Sequence, residues 1–203
     1  MKTIKANFGT IVKLWINQIG SMLFAAFLLL PADILAEKTH QAWILPLASA
    51  LAAAFYLTLI FWVTCELGLH DSVPIDAGRM KMKWYKGTLL SVFANALAIA
   101  AATVQSILKI FVAIYVPDVK YLGTTSHARG ALVAVYTVFW RVNEILHIMY
   151  QGLLATFGWL NTPFIYLIVI FLSVVTCTAG YVAGTKGFLA NLLSKDAKKR
   201  DRG

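Results

Sequence analysis

Arg141, Glu144 and His147 are the side chains in this sequence whose types and spacing come closest to chemistry. They stand at three-residue steps, so on a helix Arg141 can pair with Glu144, and Glu144 can meet His147. A carboxylate beside an imidazole can relay a proton or hold a metal ion. Glu-x-x-His is also half of the ligand set of a di-metal helical bundle. The other half is missing, because such a site needs a second motif and two further carboxylates, and the apolar segments have none to spare. Thr137 and Gln151 extend the same stripe. Its plainer reading is a polar face that meets water or lipid headgroups.

A second constellation runs through residues 87–115. Ser91, Asn95, Ala98, Ala102, Gln105 and Lys109 repeat at alternating steps of four and three, which is one helix face, small and polar throughout. In lipid such a face turns inward, because exposed amides and ammonium groups are costly there. It can serve as a packing surface, with Asn95 and Gln105 bonding across helices. It can also wall a polar pathway with Lys109 at its outer mouth. Ser173, Cys177, Gly180 and Gly184 form a small-residue face suited to close helix approach, with no catalytic reading.

The stretch from Glu66 to Gly87 is the richest in features. Gly68, Gly78 and Gly87 punctuate it, and Asp71 and Asp76 stand among the cations Arg79, Lys81, Lys83 and Lys86. Met80–Lys86 alternates apolar and basic residues and ends in Trp84-Tyr85. That suits an interfacial segment gripping anionic lipid headgroups, or a docking site in which Asp71, Asp76, Arg79, Lys83 and Lys86 make the contacts. No phosphate-binding glycine loop is present. Serine nucleophile elbows, paired helical histidines for haem and the CDP-alcohol transferase signature are absent too. The four histidines, His40, His70, His127 and His147, are scattered. No cofactor or metal is expected.

The elements that must position these groups are membrane spans. Sixty per cent of the 203 residues are hydrophobic and 13% charged, with mean hydropathy +0.73. A soluble domain carries about 25% charged residues, so this chain has too little polar surface to wet a globule. Segments of about 20 apolar residues fall at residues 8–31, 42–65, 87–115 and 164–184. Pro31-Ala32-Asp33 is expected to end the first, with Ala32–Gln41 a short connection and Trp15 at an interface. Glu66–Lys86 and Val119–Gly130 read as loops. The apolar run does not end in a small-x-small cleavage site, so the N-terminus does not read as a cleaved signal peptide. The expected fold is all-α: one polytopic membrane domain of four transmembrane helices.

Residues 131–157 are apolar enough to cross but carry the Arg141 stripe. Lysine and arginine decide between the two topologies. If the segment does not cross and the N-terminus is cytoplasmic, thirteen cations lie inside: Lys2, Lys5, Lys13, Arg79, Lys81, Lys83, Lys86, Lys186, Lys195, Lys198, Lys199, Arg200 and Arg202. Lys38, Lys120, Arg129 and Arg141 lie outside. If it crosses, seven face ten. The segment is therefore expected as an amphipathic or re-entrant helix on the outer face, with Gly152 and Gly158 permitting a turn. Both termini are then cytoplasmic, in a plasma membrane, and residues 195–203 form a basic tail on anionic lipid.

The formal charge of +9 and the pI of about 9.6 are thus read as orientation and lipid contact, and nucleic-acid binding is excluded for want of any such motif. Cys65 and Cys177 read as small buried hydrophobes on the reducing side. The pattern Gly-x-x-Asp…Gly-Arg…Lys-Gly, followed by Tyr181…Gly184-Thr185-Lys186-Gly187-Phe188, resembles small bacterial integral membrane proteins of no established activity. The resemblance implies a bacterial origin and no mechanism. The expectation is a non-catalytic membrane subunit that joins a second copy or another membrane protein in transport or complex assembly. The rivals are a small channel or transporter lined by Asn95, Gln105 and Lys109, and an enzyme using Glu144 and His147 at the outer interface.

Overall fold

A computed structural model of the protein describes residues 7–115, 127–159 and 164–187. Every regular element among them is helical: α1 (Phe8–Thr39), α2 (Ile44–Asp76), α3 (Tyr85–Ala94), α4 (Ala96–Tyr115), α5 (His127–Leu146), a 3₁₀ turn (Ile148–Tyr150), α6 (Gln151–Thr156) and α7 (Ile165–Thr185). Four helices, α1, α2, α4 and α7, are long and apolar enough to cross a membrane, with mean hydropathy of 2.0 to 2.2 over their best windows. A fifth apolar stretch, α5 with the 3₁₀ turn and α6, is bent by 77°. The protein is an all-α, multi-pass membrane protein.

Burial is distributed as lipid requires. Ala25, Ala52, Ser21, Ser49 and Cys65 are fully buried, whereas Phe27, Leu30 and Phe171 are 79%, 67% and 66% exposed. Lipid tails are as apolar as leucine, so large side chains gain nothing by leaving them. Small residues go inside because they let helices approach closely.

Several boundaries differ from those the sequence suggests. Helix α1 does not stop at Pro31 but runs on to Thr39. Proline removes one backbone bond, which a membrane helix tolerates, and Ala32–Lys38 contains good helix formers. The stop lies at His40, whose φ of 54° lets the Gln41 N–H reach back to the Ala36 carbonyl at 3.2 Å, a Schellman closure. Helix α2 likewise continues eleven residues past Cys65, to Asp76. It ends the same way at Gly78 (φ 69°), with Arg79 N–H on Pro74 O at 2.9 Å and Gly78 N–H on Ile75 O at 3.0 Å. The expected loop Glu66–Lys86 therefore shrinks to residues 77–84.

The expected third span is interrupted at Asn95 between α3 and α4. The Trp15 indole donates to the Ala94 carbonyl at 2.8 Å, satisfying an acceptor at the break. Helix α5 begins at His127, inside the stretch expected as a loop. The rest of that loop, with Gly123-Thr124-Thr125-Ser126 and Lys120, lies outside the described residues. So do Asn161-Thr162-Pro163 and the basic tail at 195–203.

The chain clusters into two compact units. Met1–Gln18, Phe55–Ala94 and Phe171–Gly203 form the first, and Ile19–Ala54 with Asn95–Ile170 form the second. Helices α1, α2 and α7 each contribute to both units, and the chain passes between units once more from α3 to α4. The bent segment belongs wholly to the second.

Candidate functional site

In the first unit, residues up to 110 positions apart close into one clasp. Lys86 opens α3 and its Nζ lies 2.6 Å from Asp71 Oδ2 near the end of α2, with the two side chains only 10% and 13% exposed. The hydroxyl of Tyr181, on α7 and fully buried, donates to the same Oδ2 at 2.8 Å. The Lys86 ammonium also sits 5.9 Å from the centre of the Tyr181 ring. Thr88 and Thr178 share a further hydrogen bond of 2.7 Å between α3 and α7.

Glycines bring these helices close enough. A Cβ on Gly68 would run into the backbone of Tyr181 and Thr185, and one on Gly184 into the Cys65 carbonyl. A Cβ on Gly87 would lie 2.6 Å from the Cys177 carbonyl. Gly68 and Gly87 thus serve helix packing rather than loop punctuation. Two charges leave water here, and their mutual attraction with the tyrosine hydrogen bond offsets a desolvation cost of several kcal/mol per ion. Of the five expected contact residues of this stretch, Asp71 and Lys86 meet. Asp76, Arg79 and Lys83 are exposed and make no ion pair among the described residues. Tyr181 is the partner that residue spacing in one stretch could not supply. Lys13 and Glu66, both about 60% exposed, approach to 3.6 Å on the same unit.

In the second unit, the Arg141 stripe is broken up by the bend. Arg141 and Glu144 pair at 2.7 Å, and the guanidinium lies 5.2 Å from the Trp140 ring centre. His147 does not join the Glu144 carboxylate. It is buried at the helix break, its Nδ1 lies 3.0 Å from the Asn143 carbonyl, and its ring rests on Tyr166 at 5.0 Å. The carboxylate–histidine pair that the spacing allows is therefore not formed, because the imidazole lies against Tyr166 of α7. Gln151 Nε2 bonds the Tyr166 hydroxyl at 3.1 Å and the Glu144 carbonyl at 3.4 Å. Thr137 closes on its own helix, at the Val133 carbonyl.

Ser49 on α2 fixes the bend. Its hydroxyl donates to the Met149 carbonyl at 2.8 Å and accepts the Leu153 N–H at 3.2 Å, satisfying both kinds of backbone group freed by the break. Gly152 allows this approach, since a Cβ there would lie 2.6 Å from the Leu45 carbonyl. The break thus falls at His147, and the Gly152 position expected to turn the chain instead holds it against α2. Gly158, at φ 66°, does turn.

Along α4, Asn95, Ala98, Ala102 and Gln105 are buried and Lys109 is half-buried. Gln105 hydrogen-bonds the Tyr136 hydroxyl of α5, and its Oε1 has no partner among the described residues. The face is turned to neighbouring protein. Among the described residues no three His, Cys, Asp or Glu side chains come together as a metal site. Comparison of the chain with protein-family models, curated proteins and solved structures finds no match.

Proposed function

We propose that this protein is a non-catalytic integral membrane subunit that acts by assembling with another membrane protein or a second copy of itself, in a transport or membrane-assembly complex. The observation that carries this reading is the Asp71–Lys86–Tyr181 clasp. The buried charges of the first unit are consumed in joining helices instead of facing an open site. The polar groups at the bend are spent similarly, on Ser49, Asn143 and Tyr166. The excess of lysine and arginine over the N-terminus, the 77–84 turn and the C-terminal tail favours both termini being cytoplasmic, with anionic headgroups against the basic segments; the bacterial plasma membrane is the location that the sequence resemblance suggests.

A second reading, a small channel or transporter, is favoured by the buried Gln105 oxygen, which has no partner among the described residues. Asn95, Gln105 and Lys109 would then line the path. Reconstitution separates the two. The purified chain in proteoliposomes is expected to give no ion or solute flux above protein-free vesicles, while crosslinking in native membranes gives a complex of fixed stoichiometry. Flux that Lys109→Met abolishes, with no such complex, overturns the subunit reading.

A further inference from the structure

The second unit carries a cleft of about 260 Å³ between α1, the start of α2 and α6. Leu29, Leu30, Leu45 and Ile148 make its wall, so it is mostly apolar. Two lining side chains are polar, Asp33 and Gln151, and none is basic. Asp33 makes no ion pair among the described residues. The Gln151 amide nitrogen is already spent on Tyr166 and Glu144, which leaves its oxygen as an acceptor. The cleft thus offers a carboxylate and an amide oxygen above an apolar floor.

Asp33 is exposed at the edge of this cleft, and a carboxylate beside an apolar wall is matched best by a cation that brings its own apolar body. An anionic amphiphile would be repelled by Asp33, and a neutral one would leave it unpaired. The volume is that of roughly nine water molecules, enough for one short alkyl chain and too small for a two-chain lipid. We infer that this cleft binds a single-chain amphiphile with an ammonium head, the head at Asp33 and the chain between α1, α2 and α6. The site is independent of whether the protein is a subunit or a transporter.

The full chain in a neutral maltoside detergent is labelled with an alkyltrimethylammonium probe bearing a diazirine in its tail, and the adducts are mapped by mass spectrometry. Labelling is expected on peptides containing Leu30, Leu45 and Ile148. Unlabelled octyltrimethylammonium should compete, and octyl sulfate at the same concentration should not. Asp33→Asn is expected to weaken apparent affinity about tenfold. Ala155→Phe, which fills the cleft from an exposed position and leaves Asp33 in place, should abolish the labelling. Both variants are checked for wild-type elution and thermal unfolding. Adducts spread over the whole apolar surface, equal competition by the sulfate, or labelling unchanged in both variants would overturn the inference.

Discussion

At the scale of residues, the protein is defined by how it disposes of its few charges. Asp71 and Lys86 are fifteen positions apart and meet at 2.6 Å with little exposure. Removing one partner strands the other charge, so Asp71→Asn or Lys86→Met is expected to cost about 3 kcal/mol each. The double variant should cost clearly less than the sum, as a thermodynamic cycle of unfolding in detergent would read out. Additive losses would mean that the pair does not couple. Tyr181→Phe, which removes only the hydrogen bond to the carboxylate, should cost about 2 kcal/mol. The candidates in this region were legible as residue types, but their pairing was not. Asp71, Asp76, Arg79, Lys83 and Lys86 look alike in sequence, and only Asp71 and Lys86 are drawn together when α2 extends and α3 begins at Tyr85.

Elements decide which glycines matter. Gly68 and Gly20 both sit inside long apolar helices, and nothing in their neighbours along the chain tells them apart. A Cβ at Gly68 collides with α7 backbone, which cannot rotate away, whereas at Gly20 it meets nothing within 4 Å. Gly68→Ala is accordingly expected to destabilise by about 2–3 kcal/mol. Gly20→Ala should be neutral or stabilise by about 0.5–1 kcal/mol through helix propensity. Differential scanning of the two variants in the same micelle checks both, and equal effects would deny the close α2–α7 approach. Element ends depart from the sequence pattern for a related reason. Pro31 and Gly68 are breakers in water, yet in an apolar helix the lost bond or missing side chain is outweighed by keeping every other backbone group satisfied.

For the molecule as a whole, the open matter was whether residues 131–157 form a fifth crossing. The bent segment lies wholly within the second compact unit. Its bend is held by Ser49 and Gly152 against α2. Cysteine labelling tests the proposed topology, in which this segment stays on one face of the membrane. Cys65 and Cys177 are buried and should stay silent to an impermeant maleimide. Gly130→Cys and Trp159→Cys are expected to react from the same face of the membrane, and Arg79→Cys from the other. Reaction of Gly130→Cys and Trp159→Cys from opposite faces would establish a fifth span.

Composition and the length of its apolar runs were enough to make this chain a helical membrane protein with four clear spans. Both are local properties, since the cost of exposing polar backbone in lipid is met within each helix. The face along Ala98, Ala102 and Gln105 was legible for the same reason, as a periodicity within α4. The Asp71–Lys86–Tyr181 clasp, the bend at His147 and the cleft beside Asp33 were decided by tertiary structure alone. Each depends on which helix packs against which, and in lipid that choice rests on small residues and single hydrogen bonds between segments far apart in the chain.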